Sequence, residues 1–120
     1  MRSIPRSRLA TALLWCFAGT MHFVVPRAYE SIVPRSIARW KREAVIVSGA
    51  AEIAGGVAVL PDLTRRAARW WLLGVLVAVY PANVQMALHP ERYRSLRPAL
   101  LWARLPLQFV FAAGTWRGTR

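Results

Sequence analysis

Acidic residues and cysteines are scarce in this sequence. Five Asp and Glu residues stand against seventeen Lys and Arg residues, which gives a formal net charge of +12. Cys16 is the only cysteine, and its absence of a partner excludes a dithiol redox mechanism within this chain. We expect Cys16 to act as a small buried hydrophobe in the first apolar stretch. No internal repeat or low-complexity segment stands out.

Charged side chains of either sign are also few, at 18% of the sequence, while hydrophobic residues make up 56%. An ordinary soluble domain has about 25% charged and about 45–50% apolar residues. The apolar residues form four stretches, at about 9–25, 44–60, 67–88 and 99–116. Each stretch is near the roughly 20 residues that a helix needs to cross a bilayer, where the backbone must satisfy its own hydrogen bonds. The sequence therefore predicts an all-α, integral membrane four-helix bundle forming a single domain over residues 1–120.

The basic residues lie almost entirely between these stretches, and only Arg69, near the start of the third stretch, and Arg104 fall inside one. Flanking Arg and Lys side chains bind lipid head groups, so the lipid bilayer explains the charge, and no motif supports a nucleic-acid partner. Eight basic residues fall on each side of the predicted bundle, so charge alone does not orient it. The arginines before the first stretch resemble a signal peptide, but Ala18-Gly19-Thr20 is a poor cleavage site, and we expect an uncleaved helix.

Prolines mark the predicted helix ends and kinks. Helix one should end at Pro26, and helix two at Pro61. Pro81 should kink the third helix, and a turn rich in basic residues should precede that helix. The residues of that turn are Arg65, Arg66 and Arg69. Tyr29 and its apolar neighbours in the first connection are expected to lie on the membrane surface.

Each stretch contains polar side chains at a similar depth from one end of the predicted bundle. They are His22, Glu52, Asn83 and Arg104, with Gln108 one turn beyond Arg104. Counting about 1.5 Å per residue places the first four between about 6 and 12 Å from the same face. Burying ionisable groups in a membrane is costly, so they are expected to pair or to serve a function. Ser48 and Tyr80 are secondary members of this polar layer.

The layer has two interpretations. Glu52 and Arg104 can form an ion pair, His22 can bridge them or titrate near neutral pH, and the two amides can bond across helices. The cluster then either fixes the register of the bundle or forms a site for a proton, a quinone head group or a polar ligand. No third ligand accompanies His22 and Glu52, so no metal site is predicted. Ala51 and Gly55, four residues apart, favour close packing inside the bundle or, alternatively, a homodimer contact.

Several short motifs resemble those of the DoxX-like family of small four-helix bacterial membrane proteins, over roughly residues 12–110. They are Ala18-Gly19-x-x-His22-Phe23, Ile32-Val33-Pro34, Ser48-Gly49-x-x-Glu52-x-x-Gly55-Gly56, Pro81-Ala82-Asn83-x-x-Met86-Ala87 and Arg104-Leu105-Pro106-Leu107-Gln108. The resemblance implies a multi-pass protein of the bacterial inner membrane with cytoplasmic termini. Some relatives are linked to quinone-dependent thiosulfate oxidation and others to membrane complexes that handle oxidative stress.

The functional prediction follows this resemblance. We expect an accessory or quinone-associated subunit of a membrane redox or oxidative-stress complex, with protein partners, and we do not expect catalysis by this chain alone. No cofactor motif is evident, and a quinone is the cofactor considered. The alternatives are a non-catalytic structural membrane protein and a small transporter, which would need an oligomer. The sequence leaves the oligomeric state open.

Overall fold

The described chain is helical throughout. The computed structural model describes residues 3–30, 33, 35–88 and 98–120, and no strand occurs in these ranges. The helices are α1 (Arg6–Val24), α2 (Pro26–Glu30), a 3₁₀ helix (Arg35–Trp40), α3 (Lys41–Ala58), α4 (Asp62–Leu88) and α5 (Pro98–Gly118). The prediction of an all-α fold with four long helices is confirmed.

Prolines interrupt some helices and not others. Val25 departs from helical geometry, with φ −127° and ψ 59°, and Pro26 then begins α2, where its missing N–H costs little. Pro81 and Pro106 lie within α4 and α5, which continue through them. The predicted basic turn before the third helix is wrong. α4 begins already at Asp62, so Arg65, Arg66 and Arg69 belong to its first turns.

Glycines allow α1 and α3 to approach to backbone contact. A Cβ atom on Gly49 would lie 2.7 Å from the Cβ of His22 and 3.0 Å from the carbonyl oxygen of Gly19. A Cβ atom on Gly19 would lie 2.7 Å from the carbonyl oxygen of Gly49. One further contact, between Gly56 and Cys16, has a corresponding distance of 2.9 Å. Larger residues do not fit here without separating the helices.

The packing of α3 against α4 uses the small residues that the sequence singled out. A Cβ atom on Gly55 would meet the Leu72 side chain and would lie 2.8 Å from Trp71. The Trp71 indole N–H donates to the carbonyl oxygen of Ala51 at 2.9 Å. Ala51 and Gly55 therefore contact α4 of the same chain. This contact agrees with the expectation that the two residues pack inside the bundle.

Hydrogen bonds hold α5 to α1 and α4 near the chain termini. The Trp15 indole N–H donates to the Thr115 hydroxyl at 3.0 Å, and both side chains are buried. Arg69 donates to the Thr119 hydroxyl at 3.0 Å and to its carbonyl oxygen at 2.8 Å. The Arg69 guanidinium also lies 4.3 Å from the ring centroid of Trp116, within cation–π range.

Arg8 makes a second internal connection at this end. Its guanidinium contacts the Asp62 carboxylate at 2.8 Å and donates to the carbonyl oxygen of Leu60 at 3.3 Å. Arg8 is buried. Its position before an apolar stretch does not indicate this burial in the sequence. Arg8 and Arg69 thus bind within the protein, in addition to any part that the flanking basic residues play at a membrane surface.

The buried hydrophobic core is small relative to the apolar surface. Its fully buried cluster comprises Trp15, Val59, Ala68, Leu72 and Leu76. Large apolar side chains are exposed on all four long helices, including Phe17 at 66%, Val77 at 73% and Phe109 at 67%. Among the described helices, the segment Asp62–Val84 of α4 is long and apolar enough to cross a membrane. Four membrane-crossing helices remain a prediction.

The α1–α3 contact predicts opposite effects for two glycine substitutions. We expect Gly49→Ala to lower the free energy of unfolding by about 1–3 kcal/mol, because the new methyl group overpacks the contact. Gly74→Ala is the matched control, since a Cβ there meets no atom within 4 Å. It should raise the free energy of unfolding by about 0.5–1 kcal/mol through helix propensity. Unfolding of the purified proteins measures both, and equal effects would contradict the close contact.

Candidate functional site

A cavity of about 610 Å³ lies between the helices, in the half of the bundle away from Arg8 and Thr119. Its walls are formed by the C-terminal halves of α1 and α4, the N-terminal half of α3 and the first half of α5. Most lining side chains are apolar. The polar lining side chains are His22, Tyr29, Ser48, Glu52, Asn83 and Gln108. A mainly apolar cavity with a few convergent polar groups is typical of small-molecule sites.

His22 and Glu52 form a buried pair across the α1–α3 contact. The His22 Nε2 atom lies 3.0 Å from the Glu52 Oε2 atom, and both side chains are about nine-tenths buried. The Ser48 hydroxyl lies 3.4 Å from the same ring nitrogen. Gly49, three residues before Glu52, packs on the His22 Cβ, so the backbone contact of the two helices sets this distance.

The hydrogen bond of the His22 Nδ1 atom restricts where protons can lie in this pair. The His22 Nδ1 atom lies 2.9 Å from the carbonyl oxygen of Ala18, which can only accept, so Nδ1 carries a hydrogen. Neutral His22 then has no hydrogen on Nε2, and either Glu52 is protonated and donates to Nε2, or His22 is a cation beside a carboxylate. The contact between Nε2 and Oε2 is a close approach at 3.0 Å, and the buried Oε2 atom has no hydrogen-bond partner among the described residues. Both arrangements place a single transferable proton between the two side chains.

Tyr29 covers one face of the His22 ring. The ring centroids are 3.9 Å apart and the planes are inclined by 21°, a stacked arrangement. Tyr29 lies on α2, and the break at Val25 brings this short helix back against α1 and α3. The sequence placed Tyr29 on a membrane surface. The structure makes it a wall of the cavity, and its place at the membrane surface stays a prediction.

Two amides form a second polar pair on the opposite wall. The Asn83 side-chain N–H donates to the Gln108 Oε1 atom at 2.7 Å, which links α4 to α5. The Gln108 side-chain N–H in turn donates to the carbonyl oxygen of Leu76. Leu76 lies five residues before Pro81, whose missing N–H leaves the carbonyl oxygen of Val77, and not that of Leu76, without its helical donor. Gln108 therefore adds a hydrogen bond to α4 beside its proline-containing segment.

The structure brings together four of the five residues of the predicted layer. His22 pairs with Glu52, Asn83 pairs with Gln108, and all four line one cavity. Arg104 lies on α5, but its side chain is outside the described part of the chain, so the predicted Glu52–Arg104 pair stays a prediction. Ser48 joins the site. Tyr80 is not among the described lining residues and packs edge-to-face on Phe109, with centroids 6.4 Å apart.

Sequence reasoning missed the contributions of Tyr29 and of the Leu76 carbonyl. Stacking of Tyr29 depends on the chain reversal at Val25, for which Pro26 gives the position but not the direction. A backbone acceptor such as the Leu76 carbonyl has no sequence signal. In the described ranges, no three His, Cys, Asp or Glu side chains come together as a metal-ligand group.

Comparison with known proteins assigns the chain to a family. Residues 9–119 match the family described as Domain of unknown function (DUF8561), and the chain belongs to that family. No curated protein and no solved structure matches the chain.

The buried pair predicts the effect of removing the Glu52 carboxyl group. We expect Glu52→Leu to lower the free energy of unfolding by about 1–3 kcal/mol, because it leaves the buried Nε2 atom of His22 without its close partner. Glu43→Leu is the matched control, since Glu43 is exposed on the first turn of the same helix. It should change stability by less than about 0.5 kcal/mol. Chemical unfolding measures both, and a neutral Glu52→Leu would contradict the pairing.

Proposed function

We propose that this chain is an integral membrane protein of the DoxX-like type whose cavity binds the head group of a quinone. It serves as an accessory or quinone-associated subunit of a membrane redox or oxidative-stress complex, in the bacterial inner membrane, with both termini on the cytoplasmic side. The chain itself supplies a binding and proton-exchange site. Electron transfer to or from the quinone belongs to protein partners in the complex.

One observation carries this proposal: the His22–Glu52 pair and the Asn83–Gln108 pair line a single, mainly apolar cavity. A quinone head group is a flat, apolar ring with a carbonyl oxygen at each end. The cavity therefore combines apolar walls for a ring with groups that can donate hydrogen bonds to carbonyl oxygens. Its volume of about 610 Å³ is within the range usual for small-molecule pockets.

The roles of the polar groups follow from their hydrogen bonding. The single proton shared by His22 and Glu52 can turn toward a carbonyl oxygen of the ligand, or receive a proton from a hydroxyl of the reduced form. The Asn83–Gln108 amide pair lies on another wall of the cavity, on α4 and α5, and is placed to orient the ring. Tyr29 holds the imidazole in position by stacking on it.

The exterior of the bundle supports a membrane location. Exposed large hydrophobic side chains occur on all four long helices, and a water-facing protein rarely has so continuous an apolar surface. Only 11% of the most apolar window of α4 is buried, whereas the core helix of a soluble protein is mostly buried. Trp70 and Trp71 lie in the first half of α4, directly after the basic residues Arg65, Arg66 and Arg69, and aromatic side chains favour the membrane interface.

A specific observation also favours a second candidate, a purely structural role for the polar pairs. His22 and Glu52 already lie within 3.0 Å of each other, and their contact coincides with the glycine contact that fixes the register of α1 against α3. In that case the pairs hold the helices together, and the cavity takes no ligand. Ligand binding distinguishes this candidate from the quinone site.

The quinone site predicts ligand-dependent stability. We expect a short-chain quinone to raise the thermal unfolding midpoint of the detergent-solubilised protein. At a quinone concentration of about a hundred times Kd, the free energy of unfolding should rise by about 2.7 kcal/mol. Glu52→Gln should remain folded, because the glutamine amide can donate to Nε2. Its stabilisation by the quinone should be about 1.4 kcal/mol smaller, which corresponds to a tenfold weaker affinity, because an amide has no transferable proton.

Glu43→Gln is the matched control for this measurement, since it makes the same substitution at an exposed position of α3. It should keep the full quinone response. Absence of any quinone effect on the wild type, together with a simple loss of stability in Glu52→Gln, would refute the quinone site and favour the structural role.

A membrane location predicts the behaviour of the protein during fractionation. We expect the full chain, expressed in bacteria, to remain in the membrane pellet after extraction at alkaline pH and high salt. Detergent should be needed to release it, because apolar side chains cover its exterior. Release by salt alone would indicate attachment through the +12 net charge and would refute insertion.

A further inference from the structure

The seam, meaning the contact between α3 and α4, is closed at one end and opens into the cavity at the other. Near the turn that joins the two helices, Gly55 packs on Leu72, and Trp71 bonds to the carbonyl oxygen of Ala51. Further from the turn, the two helices face each other with the cavity between them. Described lining residues there include Ala44 and Val47 on α3 and Ala78 and Ala82 on α4.

Helical spacing places these residues on the facing sides of the two helices. Trp71, Val75, Ala78 and Ala82 follow one another at intervals of four, three and four residues, which keeps them on one face of α4. Trp71 on that face touches α3, so Ala78 and Ala82 face α3 as well. Their side chains are small. Beyond Trp71, these small side chains therefore fill less of the space between α3 and α4 than leucine side chains would.

Exposure shows that the cavity reaches the outer surface along this seam. Val47 and Ala78 line the cavity and are also exposed, Val47 at 66%. Leu107 on α5 and Ile37 of the 3₁₀ helix also line the cavity and are exposed, at 49% and 44%, whereas the described lining residues on α1 are buried or half-buried. An opening with exposed lining residues on both of its helices is a lateral slot. Its described rim is apolar, and it faces sideways from the long axis of the bundle.

The slot begins beside the polar groups of the cavity. Val47 precedes Ser48, whose hydroxyl lies 3.4 Å from His22, and Ala82 precedes Asn83. A ligand whose polar head contacts the His22–Glu52 pair would thus have an apolar exit within a few ångströms of its ring. In the proposed membrane orientation, that exit opens into the hydrocarbon layer.

We infer that this lateral slot holds the apolar tail of the quinone, so that the ligand enters and leaves sideways through the bilayer with its head group in the cavity. The inference rests on the proposed quinone site. Its occupant is a hydrocarbon chain attached to the head group, and the continuity of the slot with the polar cavity is the reason for that choice.

The test compares two quinones of the same head group, one with a ten-carbon alkyl tail and one without a tail. Val47→Trp and Ala78→Trp fill the slot from either side. Ile46→Trp and Val77→Trp are the matched controls, because these neighbours are exposed at 45% and 73% and are not among the lining residues. Affinity is measured from the shift of the unfolding midpoint with quinone concentration, in one detergent, so that partitioning of the tailed quinone is the same for every variant.

We expect both slot variants to bind the tailed quinone about tenfold more weakly, the effect of losing burial of about two methylene groups. Their affinity for the tailless quinone, and both affinities of the control variants, should stay within about twofold of the wild type. Retained binding of the tailless quinone also shows that the variants fold with an intact head-group site.

Two results overturn the inference in distinguishable ways. If the wild type binds both quinones but the slot variants bind the tailed one as well as the controls do, the tail lies elsewhere and the head-group site survives. If the slot variants instead lose both quinones equally, the substitutions act on the head group, and the assignment of the tail to the slot is again wrong. If the wild type binds neither quinone, the proposed function fails and the slot assignment fails with it.

Discussion

The close approach of α1 and α3 determines most of this structure. Gly19 and Gly49 allow the two backbones to touch, and only at that separation does the His22 imidazole reach the Glu52 carboxyl group at 3.0 Å. Because α1 and α3 contact each other closely on one side of the bundle, space remains between the helices on the other side. The cavity lies there, bounded by α4 and α5, whose Asn83–Gln108 hydrogen bond holds its opposite wall together. Packing by small residues thus creates both the polar pair and the space beside it.

The two ends of the bundle have different kinds of polar contact. At the end that holds the termini, Arg8, Arg69 and Trp15 donate to groups on other helices or turns, and these donors connect neighbouring segments. At the cavity end, the polar side chains meet in two separate pairs. A pair whose polar groups face each other is partly shielded from the apolar walls, and it can still turn its polar groups toward a ligand. This arrangement favours rigid packing at one end and ligand contact at the other.

Much of this arrangement was predictable because helical rise is regular. Counting residues from the ends of the apolar stretches placed His22, Glu52, Asn83 and Gln108 in one layer, and the structure places all four around one cavity. Depth does not determine rotation about the helix axis or the path of a connection. Tyr80 therefore points to Phe109, and Tyr29 reaches His22 only through the reversal at Val25. The burial of Arg8 depends on a hydrogen bond to the Leu60 carbonyl, and such backbone acceptors have no sequence signal.

The shared proton of His22 and Glu52 has an electrical consequence. Whether the proton resides on the imidazole or on the carboxyl group, the pair as a whole carries no net charge. Moving the proton over that short distance changes only the dipole moment of the pair, and the cost of a dipole in a medium of low dielectric constant is far smaller than that of an isolated ion. The pair can therefore occupy a water-poor interior in either tautomeric form. By the same reasoning, it couples weakly to a transmembrane voltage, which acts on displaced charge in proportion to the distance travelled.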